Sequence, residues 1–121
     1  MGAISYAPNI GNFRTYVKPI IAKKNVAEAL LAYRDAAALR ERLANANPGN
    51  SDRASDLAGV DGKIGDALMG EEHLEEAKKA FTSQRDILKK LVDRDTSKRA
   101  WQQNFAAVLG KIGGLLVIEK R

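Results

Sequence analysis

The sequence predicts an all-α protein, and three observations carry this prediction. Apolar residues recur at steps of three and four through most of the chain, which is the spacing of one buried stripe on a helix. No segment alternates apolar and polar residues with the period of two that a half-buried strand requires. The stretch from residue 26 recurs from residue 74 without a gap, so one helical design is used twice.

The apolar stripes predict five helices, near residues 9–22, 26–46, 52–70, 74–94 and 98–119. We expect Pro19 to kink the first helix, because proline lacks a backbone donor. A turn at 23–25 should separate it from the second helix. The second should end before Asn47-Pro48-Gly49, and Asn50 or Ser51 should cap the third.

Short turns at 70–73 and 95–97 separate the remaining helices, and short turns place neighbouring helices antiparallel. A chain of 121 residues with 45% hydrophobic residues is the size of one domain with one core. We therefore expect a single helical repeat domain over 1–121. Its parts are a degenerate half-repeat at 1–25, a first unit at 26–73, and a second unit at 74–121 that ends on an uncapped helix.

The repeat has an offset of 48 residues and is clearest in two places. In the first half of each unit, Glu28, Ala29 and Tyr33 match Glu76, Ala77 and Phe81. In the second half, residues 62–65 and 110–113 both read Gly-Lys-Ile-Gly, and Leu68 matches Leu116. A glycine inside a helix costs about 1 kcal/mol relative to alanine. We therefore expect Gly65 and Gly113 to lie where a neighbouring helix approaches closely, with Ala77 as the small partner.

These residues resemble the tetratricopeptide repeat. Ile64-Gly65, Leu68, Ala77 and Phe81 stand where that family places a Leu-Gly pair, an aromatic, a small residue and an aromatic. The run from Trp101 to Phe105 is similar to a segment of longer-helix bacterial relatives of the repeat. The 48-residue period is longer than the usual one of about 34. The resemblance implies five antiparallel helices in a hairpin array, a fragment of an α-solenoid with about two and a half units.

The resemblance also implies a partner groove along the first helix of each pair. The positions that would line it are Arg14, Lys18, Gly59, Gly62, Asp66, Met69, Ala107, Gly110, Gly114 and Val117. The two clear units lack the Lys and Asn residues with which such repeats hold a peptide carboxylate. A small and smooth lining suits close approach by another helix.

The composition argues against an enzyme and against a bound cofactor or metal. There is no cysteine, which excludes disulfides, thiolate metal sites and a cysteine nucleophile. His73 is the single histidine and lies in a glutamate-rich turn, so it supplies too few ligands for a zinc site. The glycines match no phosphate-binding motif and follow no strand. Trp101 lies on a buried stripe, so we expect it to pack in the core.

The last helix carries four apolar residues in succession, Leu115 to Ile118. A helix that is apolar on more than one side should be covered, and terminal repeats otherwise expose the face meant for a neighbour. We expect a second copy to cover it in a homodimer, through a symmetric contact or an exchanged helix. The residues that should form this contact are Ile112, Leu115, Leu116 and Ile118. The alternative is that the chain is a piece of a longer array.

The function that we expect is therefore a non-catalytic protein-interaction module, a scaffold that associates with itself. One alternative is a small regulatory or ligand-binding protein, whose available polar groups would be Asp66, Tyr16, Tyr33 and Lys63. Another is a binder of nucleic acid or an anionic surface, since the net charge is +5 and the ends are basic. No secretory signal and no apolar run long enough for a membrane span occurs, so we expect a cytoplasmic protein without a membrane span.

Overall fold

The computed structural model describes the backbone of residues 2–119 and the side chains of residues 22–119. It consists of four α-helices, which are α1 (Gly2–Ala46), α2 (Ser51–Gly70), α3 (Leu74–Arg94) and α4 (Arg99–Glu119). The described backbone contains no strand, which confirms the all-α prediction. The bounds predicted for the last three helices are correct within one residue, but the number of helices is four rather than five.

The predicted first and second helices are one continuous helix. The structure runs through Pro19 and through the predicted turn at 23–25 without a break. Lys23 and Lys24 are good helix formers and only Asn25 is a weak one, so nothing in this segment stops a helix. With 45 residues, α1 is about 67 Å long, whereas the 20 residues of α2 span about 30 Å. The half-repeat therefore does not form a separate helix beside residues 26–46.

Asn50 caps α2, as one of the two predicted residues. Its side chain accepts hydrogen bonds from the backbone N–H groups of Asp52 and Arg53, at 3.1 and 3.3 Å. Asparagine is among the strongest N-cap residues because its oxygen satisfies helix donors that have no partner within the helix. The cap starts α2 four residues after α1 ends and makes the two helices antiparallel.

The turn from α2 to α3 is a Schellman motif. The N–H of His73 donates to the carbonyl of Leu68 at 2.9 Å, and the N–H of Glu72 donates to that of Met69 at 3.0 Å. Glu72 takes the left-handed conformation, with φ at 63°. Glycine usually occupies this position, but Gly70 lies two residues earlier, still inside the helix.

Asp95 organises the turn from α3 to α4. Its carboxylate accepts hydrogen bonds from the hydroxyl of Ser97 at 2.6 Å and from the backbone N–H of the same residue at 3.0 Å. Both bonds favour the ionised form, so they lower the pKa of Asp95.

The helices pack in chain order, with α2 between α1 and α3, and α3 between α2 and α4. Phe81 lies at the centre and has no exposed surface. The core consists of small and large apolar residues from the last three helices: Ala58, Val60, Ile64, Leu68, Ala77, Phe81, Leu88, Leu91, Trp101, Val108 and Leu115. Leu30, Tyr33, Ala36 and Ala37 of α1 pack against this core from one side.

Candidate interaction surfaces

The closest helix contact is where Gly65 of α2 meets Phe81 of α3. A β-carbon built on Gly65 would overlap Cε1 of the Phe81 ring and lie 2.6 Å from its Cδ1. Gly62 lies one turn away, where a β-carbon would come within 2.6 Å of Nε2 of Gln84. The glycines therefore let α3 approach α2 closely. The prediction for Gly65 is confirmed, with the ring of Phe81 rather than Ala77 as the opposing group.

Gly113 is the repeat equivalent of Gly65, and its surroundings are different. A β-carbon there would meet no atom within 4 Å, and the same holds for Gly110 and Gly114. The prediction that a helix lies against Gly113 is wrong for the described residues of this chain. The reason is that α3 follows α2 and covers Gly65, whereas no described helix covers the corresponding side of α4.

The side of α4 that carries Gly113 is apolar and open. We call it the α4 outer face, and its residues are Ala106, Leu109, Gly110, Gly113, Leu116 and Val117. All six are exposed. Lys111 is the only charged residue between Arg99 and Glu119, and it points away from this face toward Asp66. Exposed large apolar side chains without intervening charge are typical of a contact surface.

The structure separates the residues predicted to form the self-association contact. Leu115 is fully buried in the core, and Ile112 is partly buried against it. Leu116 and Ile118 remain exposed. Leu115 is therefore not available for a contact with a second copy, because a run of four apolar residues spans a full helical turn and one of its members must face α3.

The predicted partner groove is not one continuous surface. Gly62 is buried under Gln84, and Met69 packs against the core. Asp66 is exposed but bonded to Lys111. The other described members are open to solvent: Gly59, Ala107, Gly110, Gly114 and Val117. The side chains of Arg14 and Lys18 lie outside the described residues, as does that of Tyr16.

Two polar contacts join α4 to α2 across the core. Nζ of Lys111 lies 2.7 Å from Oδ1 of Asp66 and 5.3 Å from the centroid of the Phe81 ring. Nε1 of Trp101 donates to the hydroxyl of Ser55 at 3.2 Å. Trp101 is buried, which confirms that it packs in the core. These contacts hold the inner side of α4 and leave its outer face unused.

A second open apolar surface lies on α1, and sequence reasoning missed it. We call it the α1 outer face, and its described residues are Ala32, Leu39, Leu43 and Ala46, all of them exposed. It was missed because the apolar residues of 26–46, Leu39 and Leu43 among them, predict one buried stripe. A signal was present in the repeat, since Leu39 and Leu43 match Ile87 and Leu91, which pack inside the structure.

Three of the four polar groups proposed for a ligand pocket meet in one cleft. Tyr33 of α1 and Lys63 and Asp66 of α2 line a cleft of 400 Å³ together with Val26, Ala29 and Ala67. The cleft is shallow and open, and its carboxylate already binds Lys111. A small-molecule site is usually an enclosed apolar cavity with convergent polar groups, and this cleft lacks that enclosure.

Asp61 is a carboxylate of α2 whose pKa is raised. Partial burial beside α3 raises the pKa of Asp61, because burial disfavours the charged form. The hydroxyl of Ser83 donates to Oδ2 at 2.8 Å and lowers the pKa in part. The negative charge of Glu41 raises it further. His73 is exposed in the turn before α3. No group of three His, Cys, Asp or Glu side chains in the described chain is arranged to hold a metal ion.

Within residues 2–119, none of the helices combines the length and the hydropathy needed to cross a bilayer. The described chain carries two exposed apolar surfaces, the α4 outer face and the α1 outer face, at the two ends of the helix order. Comparison with protein-family models, curated proteins and solved structures finds no match to this chain.

Proposed function

We propose that this protein is a non-catalytic protein-interaction module that associates with itself through α4. One observation carries the proposal: the α4 outer face exposes Leu109, Leu116 and Val117 around two open glycines, without a charged residue among them. Leaving such side chains in water costs about 25 cal/mol for each Å² of apolar surface that a partner could cover.

The arrangement of the helices supports the same proposal. Antiparallel helices that pack in chain order, with a 48-residue repeat between them, are similar to a tetratricopeptide-like array. In such arrays each repeat contacts only its neighbours, so the outermost helix presents the face that an inner helix buries. Arrays of this kind act by binding other proteins.

The test is the molar mass in solution as a function of concentration. Sedimentation velocity and light scattering between about 1 and 300 μM should show a mass that rises above that of the single chain. Leu116→Glu places a charge on the α4 outer face and should lower the association constant at least tenfold. Leu31→Glu is the matched control, because Leu31 is an exposed leucine on α1 far from that face.

Circular dichroism should show the same helix content for all three proteins, so that a loss of association is not a loss of fold. A wild-type chain that stays a single copy at every concentration, without binding a dye for exposed apolar surface, would reject the proposal. Equal weakening by both substitutions would also reject it, since a general rise in negative charge would then explain the effect.

A further inference from the structure

The two outer faces are related to the two sides of an interface that already exists inside the chain. Within one copy, α2 packs on α3 through Gly62, Gly65 and Phe81. Resting on the proposed self-association, we infer that copies stack head to tail: the α4 outer face of one copy packs on the α1 outer face of the next, as α2 packs on α3. The partner is thus a second copy of the chain. Each contact joins the α4 outer face of one copy to the α1 outer face of the other.

The α4 side of this match follows from the 48-residue offset. Gly110 and Gly113 stand where α2 has Gly62 and Gly65, and Val117 stands where it has Met69. In α2 these positions are covered by α3 or packed against the core. In α4 the same positions are open. The α4 outer face is therefore the α2 side of the interface without its partner.

The α1 side follows from the same offset. Leu39 and Leu43 stand where α3 has Ile87 and Leu91, and Tyr33 stands where it has Phe81. Ile87 and Leu91 line a narrow cleft with Ala54 and Leu57 of α2, which places them on the α2 side of α3. Leu39 and Leu43 are exposed instead. The α1 outer face is therefore the α3 side of the same interface.

Within the described chain, the continuity of α1 leaves this face uncovered. Because residues 2–46 form one helix, no earlier segment of it can fold back and pack beside residues 26–46. The outer faces of α4 and α1 thus expose equivalents of positions that pack together between α2 and α3, and Tyr33 beside the α1 outer face is partly buried. A second copy in the same orientation would continue the α2–α3 interface from one molecule into the next. Such a heterologous contact produces a stack or a closed ring rather than a symmetric dimer.

One polar contact of the internal interface is not repeated. Within one copy, Ser83 donates a hydrogen bond to Asp61. The residue equivalent to Ser83 is Asp35 and the residue equivalent to Asp61 is Leu109, so this bond cannot form between copies. The contact between copies would therefore depend on apolar packing, with Asp35 at its edge. Replacing Asp35 by Leu should strengthen a head-to-tail contact and leave a contact between two α4 helices unchanged.

Two matched pairs of variants test the inference. On α4, Val117→Glu changes a residue of the outer face that is 58% exposed. The control is Ile118→Glu, which changes the neighbouring residue, 45% exposed. Its equivalent in α2, Gly70, has no neighbouring atom within 4 Å of a β-carbon. On α1, Leu39→Glu changes a residue of the outer face that is 53% exposed. The control is Leu31→Glu, which changes a leucine that is 64% exposed and whose equivalent in α3, Lys79, is exposed too. We expect at least tenfold weaker association for Val117→Glu and Leu39→Glu, and less than twofold change for each control.

Mixing the two deficient variants gives the decisive result. Val117→Glu keeps an intact α1 outer face and Leu39→Glu keeps an intact α4 outer face, so the mixture should form a 1:1 pair that grows no further. Sedimentation with one variant fluorescently labelled measures this pair. If Leu39→Glu associates like the wild type and the mixture does not pair, the contact joins two α4 helices; the inference is then wrong and the proposed function stands.

A wild-type chain that never associates would overturn both the inference and the proposed function. Gly113→Leu covers the case in which the charged α4 variant fails to fold. Because no atom lies within 4 Å of a β-carbon at Gly113, a leucine there should leave the single chain folded. The leucine would occupy the space against which Tyr33 of the next copy would pack, as Phe81 packs against Gly65. Association should therefore fall at least tenfold without any added charge. Association unchanged by Gly113→Leu would overturn the inference.

Discussion

Replacing Gly65 by alanine tests the packing argument most directly, because the chain carries its own control. A β-carbon at Gly65 would overlap the ring of Phe81, which is fully buried and has no room to move away. Overpacking of a dense core costs about 1–3 kcal/mol. Alanine recovers about 1 kcal/mol of helix propensity. We expect Gly65→Ala to lower the free energy of unfolding, by up to about 2 kcal/mol.

The control is Gly113→Ala, at the equivalent position of α4. A β-carbon there meets nothing within 4 Å, so only the gain in helix propensity remains. We expect it to raise the free energy of unfolding of the single chain by about 0.5–1 kcal/mol. The same substitution in the same repeat motif should therefore change stability in opposite directions.

Urea denaturation followed by circular dichroism measures both changes, at a protein concentration low enough for the chain to be a single copy. Phe81→Leu in the Gly65→Ala background should recover part of the loss, with a coupling free energy of about 1 kcal/mol between the two sites. If Gly65→Ala and Gly113→Ala change stability by the same amount and in the same direction, the close approach of α3 to Gly65 is not what that glycine serves.

Three further substitutions have outcomes that follow from single groups. Gln84→Met should raise the free energy of unfolding by about 1–2 kcal/mol in urea denaturation, because Oε1 of Gln84 is buried without a hydrogen-bond partner among the described residues; a loss of stability would show that this oxygen is satisfied. Glu72→Gly should raise it by about 1 kcal/mol, because Glu72 is held at a φ of 63°, whereas the control Glu71→Gly, at a φ of −91°, should lower it. Asp61→Asn should stabilise the protein at pH 7, because burial raises the pKa of Asp61 above its ordinary 3.8 and its ionised form therefore opposes folding. The native fold binds the Asp61 proton more tightly than the unfolded chain does, so this advantage should shrink as the pH falls through the raised pKa and vanish below 3.8; a benefit that is equal at pH 7 and pH 3 would contradict it.

Much of the local structure could be predicted from residue patterns. The stripes at steps of three and four located α2, α3 and α4 within one residue, since a 20-residue amphipathic pattern averages over many weak preferences. Asn50 was identifiable as a cap from its side-chain chemistry. Gly65 was identifiable as a close contact, because its cost in a helix needs a compensating reason.

The fusion of the first two predicted helices into one continuous helix was not predictable in this way. Whether a helix continues through residues 19–25 depends on the balance between Pro19, which costs a helix interior about 3 kcal/mol, and the two lysines and Asn25, each of which contributes less than about 1 kcal/mol. Asn25 can either cap a new helix or lie inside a continuous one, so the local residues do not decide between one helix and two. The structure resolves it as one helix, and this exposes Leu39 and Leu43.

The helices, their apolar stripes and the repeat follow from the residues alone, because side-chain periodicity and capping act over only a few residues. Tertiary structure alone determined which stripes are covered. Gly65 and Gly113 stand in the same four-residue motif, yet one is buried under Phe81 and the other is open. The physical reason is that burial depends on a neighbouring helix, and a residue pattern records the preference for a neighbour without supplying one.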